Sequence, residues 1–317
     1  MTLLRADLHV HTSHSKHNAD IPFVASRDCY SPPQAVYRIA KARGMDLVAI
    51  TDHDTIDGAL DLLERQPGAR DVIVGEEVSC RFPDVDIPVH LGVYGITEAL
   101  HRDVQPLRDN VFQVTAFLRE AGVFFCLNHL FHFYRRQMPL ESYLRLLHEV
   151  PALETRNGAM SAAHNRLVEQ IAAAWSVRSP LASVAGSDAH TLRRVGRTWI
   201  EAPGTTREEF LESLKLGRGR PGGLHGGVPA TCGDVYGVIA AYAASLVGAG
   251  PVDHRGWHRA ACLAFVAASL PLQLLLPAVM TLGIKRREMH EVRRARKNLH
   301  AVFDQRNTAP SLAEPES

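Results

Sequence analysis

What the chain lacks narrows its class before any motif is considered. It lacks a charge of one sign: 35 Lys and Arg against 34 Asp and Glu leave +1 at pH 7 with histidine neutral. A long nucleic-acid track needs a basic excess that this balance does not supply. It lacks any CxxC pair. Its five cysteines (Cys29, Cys80, Cys126, Cys232, Cys262) are scattered and odd in number. That excludes a zinc ribbon, argues against a disulfide framework and fits a reducing compartment. No signal-peptide pattern follows the opening Met-Thr-Leu-Leu-Arg-Ala-Asp, so a cytoplasmic location is expected. What is present is the composition of a folded protein, with 46% hydrophobic and 22% charged residues. A length of 317 residues accommodates one barrel-type domain with an appendage, or two ordinary domains. Histidine, at 17 copies, is the abundant residue that needs a reason.

Residues 1–222 alternate short apolar, β-branched runs with helical stretches. The pattern predicts strands over Leu3–Val10, Asp46–Thr51, Val72–Ser79, Pro88–Tyr94, Val123–Asn128, Ala152–Thr155 and Leu181–Gly186. It predicts helices over Pro33–Arg43, Thr55–Arg65, Val104–Glu120, Leu140–Glu149, Ala162–Ala174 and Arg207–Leu216. Such alternation implies an α/β fold with parallel pairing and helical crossovers, and seven units favour a closed barrel over an open sheet. Gly217–Gly227, rich in Gly, Arg and Pro, has linker composition. Residues 223–317 then form a helical C-terminal extension. It contains two apolar stretches, Val235–Gly250 and Ala260–Ile284, followed by Lys285, Arg286, Arg287, Arg293, Arg294, Arg296 and Lys297. One reading is membrane association through 235–284 with a positive-inside flank, attaching the protein to the inner face of the membrane. The other is a helical hairpin packed on the barrel or a partner, ending in a basic helix. The tail from Asn307 has the polar composition of disorder.

The chemistry-bearing residues fall at strand ends. In Asp7-Leu8-His9-Val10-His11, alternate residues project to one side of a strand, so two imidazoles lie side by side. A chain this rich in histidine yields about one such pair by chance, and the preceding aspartate makes the pattern more specific. Thr51-Asp52-His53-Asp54-Thr55 follows the apolar run Leu47–Ile50. Asp52 there can orient an imidazole, while Asp54 or Thr55 can cap the next helix. The pattern recurs at Glu76-Glu77, His90, Asn128-His129, Glu154 and Ser187-Asp188-Ala189-His190. Singly, each suits an ordinary polar strand end. Together they bring His, Asp or Glu to the C-terminal ends of seven strands, where barrel enzymes carry their chemistry. So many imidazoles and carboxylates in one mouth are costly to desolvate, and bound cations relieve that cost. Imidazole and carboxylate without thiolate suit Zn, Mn or Fe. About nine candidate ligands exceed what one ion takes.

In this order the motifs resemble the PHP (polymerase and histidinol phosphatase) superfamily over about residues 5–220. The resemblance implies a distorted seven-stranded (β/α)7 TIM-like barrel holding three divalent metal ions. It implies one ion on His9, His11, Glu77 and Asp188, and a second on Glu77, His90 and His129. It implies a third on His53, His190 and a ligand from the loop after His11. Relatives carry Ser-Asp-Gly in that loop, whereas this chain reads Thr12-Ser13-His14-Ser15-Lys16-His17, with lysine in the usual aspartate place. His17 is the ligand expected there, followed by His14 and then Asp20.

The implied activity is hydrolysis of a phosphomonoester or small phosphodiester by a metal-activated hydroxide, acting on a small phosphorylated substrate. Asp188 and His190 are the candidates to orient the water or carry a proton, with Asp7 and Asp52 supporting the ligands. Arg193, Arg194 and Arg197, and Arg135 and Arg136 after His129, are candidate phosphate grips, against the plainer reading of surface charge. Glu154 and Asn157 are expected to line the pocket without binding metal. Three other readings stay open. One is a barrel amidohydrolase, which usually needs a bridging carboxylated lysine that no plausible strand end supplies. Another is a membrane-attached accessory of a sugar- or lipid-transfer system with a structural metal site. The last is a nucleic-acid exonuclease, which the neutral charge disfavours.

Overall fold

The structure, a computed structural model, describes residues 2–15, 27–83, 85, 87–131, 139–177, 179–250 and 256–307. His17, Asp20, Arg135, Arg136 and the tail from residue 308 lie outside these residues. The strands are β1 (Leu3–Asp7), β2 (Leu47–Ile50), β3 (Val72–Phe82), β4 (Ile87–Tyr94), β5 (Phe124–Leu127), β6 (Ala152–Asn157), β7 (Ala182–Gly186), β8 (Thr198–Pro203) and β9 (Arg220–Gly223). The helices are α1 (Pro33–Ala42), α2 (Asp57–Arg65), α3 (Glu98–Val104), α4 (Val111–Glu120), α5 (Leu140–Glu149), α6 (Ala162–Ser176), α7 (Arg207–Lys215), α8 (Val228–Leu246), α9 (Gly256–Ala268) and α10 (Leu270–Asn307).

The fold is mixed α/β, built on one sheet in the order β7-β6-β5-β4-β3-β2-β1-β8-β9. β1–β2–β3 and β5–β6–β7 are parallel runs, and β4 is antiparallel to both β3 and β5. Only residues 83–86 separate β3 from β4, too few for the dozen or more that a parallel crossover needs. The first half of β1 pairs antiparallel with β8. Beyond Asp7 the chain turns to β7 instead: Leu8 N–H reaches Ala185 C=O at 3.4 Å and His11 N–H reaches Ala189 C=O at 3.0 Å. The sheet therefore nearly closes between β1 and β7, with β8 and β9 also lying against β7.

The seven expected strands are all present, but a seven-stranded count does not describe this nine-stranded sheet. β8 was not anticipated. β9 lies in the stretch with linker composition, where Gly222 and Gly223 lie close against Trp199 and Thr198 of β8. The single helix expected over 104–120 is split by a 3₁₀ turn, Gln105–Leu107. Pro106 sits in that turn, where it cannot donate to a continuing helix.

Local chemistry explains most of the rest. Every residue of β2 is buried, as expected of a parallel strand covered on both faces. α1 begins at Pro33 and turns Val36 and Ala40 inward, one helical turn apart. Thr97, Asn110, Ser161 and Thr206 each accept a backbone N–H as N-caps of α3, α4, α6 and α7.

The apolar stretch 260–284 is not one helix: α9 and α10 meet at a bend of 71°. Among the described residues no single helix is long and apolar enough to cross a membrane. The second half of α10 docks on the barrel. Val292 is buried in the main core, and Lys285 Nζ donates to Ala159 O and Glu288 Oε2, both at 2.7 Å. Glu288 Oε1 accepts the Ser161 N–H at 2.8 Å. Burial works against the Glu288 carboxylate, but Lys285 and the Ser161 donors outweigh it and hold the group below its ordinary 4.5. A carboxylate depressed in this way contributes stability above its unfolded value, and that stability is lost as pH falls through the folded value. Hydrogen-exchange protection of the α10 amides around 285–292 is therefore expected to fall as pH drops below 4.5. Glu288→Gln should lower that protection at pH 7 by about 1–3 kcal/mol and flatten its acid dependence.

Candidate metal centre

The site forms where β1, β2, β5 and β7 run out into loops beside the middle of the β3–β4 pair. His9 and His11 follow β1 on one side of an extended segment, and their ring centroids lie 5.2 Å apart. Gly186 at the end of β7 allows this approach, because a Cβ there would collide with the Cβ and backbone of His9. His53 follows β2 and bridges in parallel to Glu77 of β3. His90 lies in β4, His129 follows β5, and Asp188 and His190 follow β7.

Glu77, 1% exposed, is the hub. Its Oε2 lies 3.2 Å from His9 Nε2, 3.4 Å from His11 Nε2 and 3.3 Å from His53 Nδ1. Its Oε1 lies 3.2 Å from His90 Nδ1 and 2.8 Å from His129 Nε2. Asp188 Oδ1 lies 3.6 Å from His9 Nε2, 3.5 Å from His11 Nε2 and 3.6 Å from His190 Nδ1. Asp28 Oδ2 completes the outer edge, 3.7 Å from His53 Nε2 and 3.5 Å from His190 Nε2.

Four overlapping groups of ligand atoms result: His11, Asp28, His53 and His190; His9, His11 and Glu77; His9, His129 and Asp188; His53, Glu77 and His90. Ligands about 2.1 Å from one ion in a tetrahedron stand about 3.4 Å apart, the spacing seen here. His9 Nε2, His11 Nε2 and His90 Nδ1 are buried and make no hydrogen bond, an arrangement that a shared cation completes. By donor set and spacing, the site fits divalent metal.

Other buried polar groups hold these ligands in place. Glu154 Oε1 lies 2.9 Å from His9 Nδ1, and its Oε2 accepts the His129 N–H at 2.9 Å and Asn157 Nδ2 at 2.8 Å. Asp52 accepts the Thr12 N–H at 2.5 Å and the Thr12 hydroxyl at 2.7 Å. Asp7 accepts the N–H groups of Ser187 and Gly196, each at 2.7 Å. Asn128 Nδ2 donates to Glu77 at 2.9 Å, and Asn157 Nδ2 donates to Asp188 at 3.2 Å.

Charge follows this geometry. Burial pushes Asp7 up to about 6, against the pull of its Ser187, Gly196 and His9 donors. Burial opposes the ionised forms of Glu77 and Asp188, but the surrounding imidazoles prevail and hold both well below the carboxylate range. Burial likewise opposes protonation of His11, yet Asp188 and Glu77 raise it to about 10. His53 goes the other way: burial drives it well down despite Glu77, helped by the neighbouring His11 and His90. His129 and Asp188 adopt φ of 24° and 51°, left-handed values that non-glycine residues rarely take.

The structure thus brings together His9, His11, His53, Glu77, His90, His129, Asp188 and His190. The expected loop ligand, His17, lies outside the described residues; the fallback, His14, faces Asp61 through Nε2 at 3.8 Å. The described group in that place is Asp28, for which the sequence offered only an acidic residue shortly before a proline-initiated helix. The arginines also differ from expectation. Arg193 donates to Ala230 O at 3.0 Å and pairs with Asp234 at 3.6 Å. Arg194 is buried against Asp234 and the Gly158 carbonyl. Both are directed at α8, which the sequence did not connect to this loop, and not into the cluster. Arg197 is exposed.

Residues 163–218, from α6 to the turn after α7, match the family model described as PHP-associated. This segment, which contains Asp188 and His190, is PHP-like in sequence. An uncharacterized protein of Methanocaldococcus jannaschii, MJ1587, is 35% identical over 77 residues, covering 24% of this chain and 44% of the relative. The match thus spans less than half of that relative's length. Among solved structures, a two-domain protein of Bacteroides vulgatus is described as containing a predicted PHP-like metal-dependent phosphoesterase. It aligns at TM-score 0.49 and 17% identity, over 71% of this chain and 65% of its own. PsfC of Pseudomonas syringae aligns at TM-score 0.49 and 19% identity, over 71% and 92%.

Three substitutions separate ligands from their supports. Asp28→Ala is expected to lower the metal bound per chain, measured by plasma mass spectrometry, whereas His14→Ala leaves it unchanged. Glu154→Gln is expected to keep the metal count at saturation but weaken affinity about 10–100-fold, by releasing the His9 ring from its orienting partner.

Proposed function

We propose that this chain is a metal-dependent phosphoesterase that hydrolyses a small phosphomonoester or phosphodiester at a cluster of three divalent ions. The observation that carries the reading is Glu77, whose two oxygens face separate sets of imidazoles. A carboxylate so placed would offer one oxygen to each of two neighbouring cation sites. In this assignment His9, His11, Glu77 and Asp188 hold one ion, and Glu77, His90 and His129 a second. His53, His190 and Asp28 hold the third. Zn, Mn and Fe suit this set of imidazoles and carboxylates. Ions held there lower the pKa of bound water and neutralise phosphate oxygens as charge develops in an in-line displacement.

The chain's own residues do the rest. His9, His11 and Glu77 are sealed from solvent, while His90, His190 and Asp28 have side chains 20%, 27% and 13% exposed. Substrate therefore approaches from the edge that bears His90, His190 and Asp28. Asp188, steadied by Asn157, lies between the deep histidines and His190. It can orient an attacking water and accept its proton. Phosphate oxygens are met at this edge by imidazole N–H groups and cations. No arginine clamp is assigned, since Arg193 and Arg194 are engaged with α8.

One feature favours phosphoester over amide hydrolysis. Of the described lysines, Lys41, Lys215 and Lys285 pair with Asp71, Glu212 and Glu288, and Lys297 is exposed on α10. Glu77 occupies the bridging place that a carboxylated lysine would need.

The test is turnover of an aryl phosphate, then of sugar phosphates, nucleotides and short oligonucleotides, by protein loaded with Mn, Zn or Fe. Asp188→Asn keeps a residue tolerant of positive φ. It is expected to lower kcat about 10²–10⁴-fold with little change in KM or in melting temperature. Full metal occupancy without hydrolysis of any of these esters would refute the proposal.

A further inference from the structure

The extension carries an apolar face that no other described residue covers. Trp257 and Phe265 of α9 and Leu272, Leu275, Val279 and Met280 of α10 are exposed, Trp257 at 82% and Leu275 at 71%. Isolated exposed apolar residues are ordinary, but a contiguous face of this kind marks an interaction surface. Directly after it on the same helix, Arg286, Arg287, Arg293, Arg294, Arg296 and Lys297 are all exposed.

The attachment of this segment limits how it can meet a membrane. At its start, Cys262 and Val266 of α9 pack with Tyr30, Tyr242 and Leu246, and Tyr236 of α8 donates to Leu274 O at 2.5 Å. At its end, Lys285 and Glu288 are bonded to the 159–161 loop. The apolar segment thus leaves the barrel and returns to it, so a single span that separates its two ends is excluded. Length agrees. α9 and the apolar part of α10, residues 270–284, are each about 20 Å long at 1.5 Å per residue, against a hydrocarbon core of about 30 Å. Their 71° bend suits a wedge.

We propose that α9 and the first half of α10 insert as a wedge into one leaflet of an anionic bilayer, with the arginine-rich second half of α10 on its headgroups. Burial of the apolar face supplies hydrophobic attraction, the basic run adds attraction to anionic lipid, and Trp257 suits the interfacial layer. The same basic run disfavours a second copy of this chain as occupant, since a two-fold pairing of this face would draw like charges together. The proposal does not depend on the phosphoesterase reading.

Flotation of the full chain with vesicles tests it. The wild type is expected to float with vesicles of phosphatidylcholine and phosphatidylglycerol and to remain at the bottom with phosphatidylcholine alone. Leu275→Glu combined with Val279→Glu changes two exposed positions and should abolish flotation without shifting the melting temperature. Arg293→Ser combined with Arg294→Ser should lower partitioning onto the anionic vesicles by about tenfold or more. Equal flotation with both vesicle types, or none with either, would overturn the proposal. So would a wild-type dimer that the Leu275/Val279 variant splits while neither form binds vesicles. Because the readout is lipid binding rather than turnover, its failure leaves the phosphoesterase proposal standing, and the reverse also holds.

Discussion

Glu77 is the group on which the barrel mouth depends. A carboxylate at 1% exposure has lost nearly all its hydration, which is tolerable only if its surroundings return comparable stabilisation. Here five imidazoles stand within 3.4 Å of its two oxygens. Those imidazoles come from the ends of four other strand units, so no single loop can satisfy Glu77. With neutral histidines, Glu77, Asp188 and Asp28 would leave three negative charges in one enclosed mouth. Without cations the compensation falls on the imidazoles: the carboxylates raise His9, His11 and His129, His11 to about 10, while burial drives His53 well down. Divalent cations would supply that compensation without protonated imidazoles, and would give a partner to the buried nitrogens of His9, His11 and His90 that make no hydrogen bond.

Ligands this crowded stay apart from one another only because a second layer restrains them. Asp7 grips the backbone after β7 at Ser187 and Gly196, Asp52 grips Thr12 next to His11, and Glu154 spans His9 and His129. Each links two strand exits through one carboxylate, so the rim behaves as a laced ring rather than a set of independent loops. The left-handed backbone of His129 and Asp188 fits this view. Such conformations cost on the order of 1–3 kcal/mol and persist where the surroundings over-determine them.

How far this was legible in the sequence follows from which forces place each residue. His9, His11, His53, His129, Asp188 and His190 follow strand ends, where the period of two and the end of an apolar run identify position and direction, whereas Glu77 and His90 lie within β3 and β4. The seven strands were legible for the same reason. Asp28 was not, because no strand places it. Its position comes from Ser15 Oγ at 3.3 Å, from Cys29 Sγ donating to His11 O at 3.3 Å, and from Tyr30 packed on Tyr242. All of these are contacts across the fold. β9 was missed because its residues, Arg-Pro-Gly-Gly, have turn composition, and only Trp199 and the free edge of β8 make a strand of them. The break at Pro106 and the antiparallel β4 were not read from the sequence, where one helix over 104–120 and parallel pairing were expected, although proline and the four residues between β3 and β4 carry both signals.

The arginines that follow His190 show why composition near a site is a weak guide to role. Arg193 and Arg194 were candidates to grip phosphate because they are cationic and adjacent to ligands. Asp234 on α8 takes both, and Thr191 donates to the same carboxylate at 2.9 Å. Burial pushes the Asp234 carboxyl up, and Arg194, Thr191 and Arg193 pull it back. The loop bearing His190 is therefore shaped by the extension as well as by the barrel, and the loop bearing Asp28 meets the extension through Tyr30. The deep ligands His9, His11 and Glu77 are held by strands and by one another. The outer edge of the cluster, Asp28 with His190, is the part whose geometry the extension can influence. A single chain thus divides the site into an inner half built by the sheet and an outer half braced by helices that the sheet does not need in order to close.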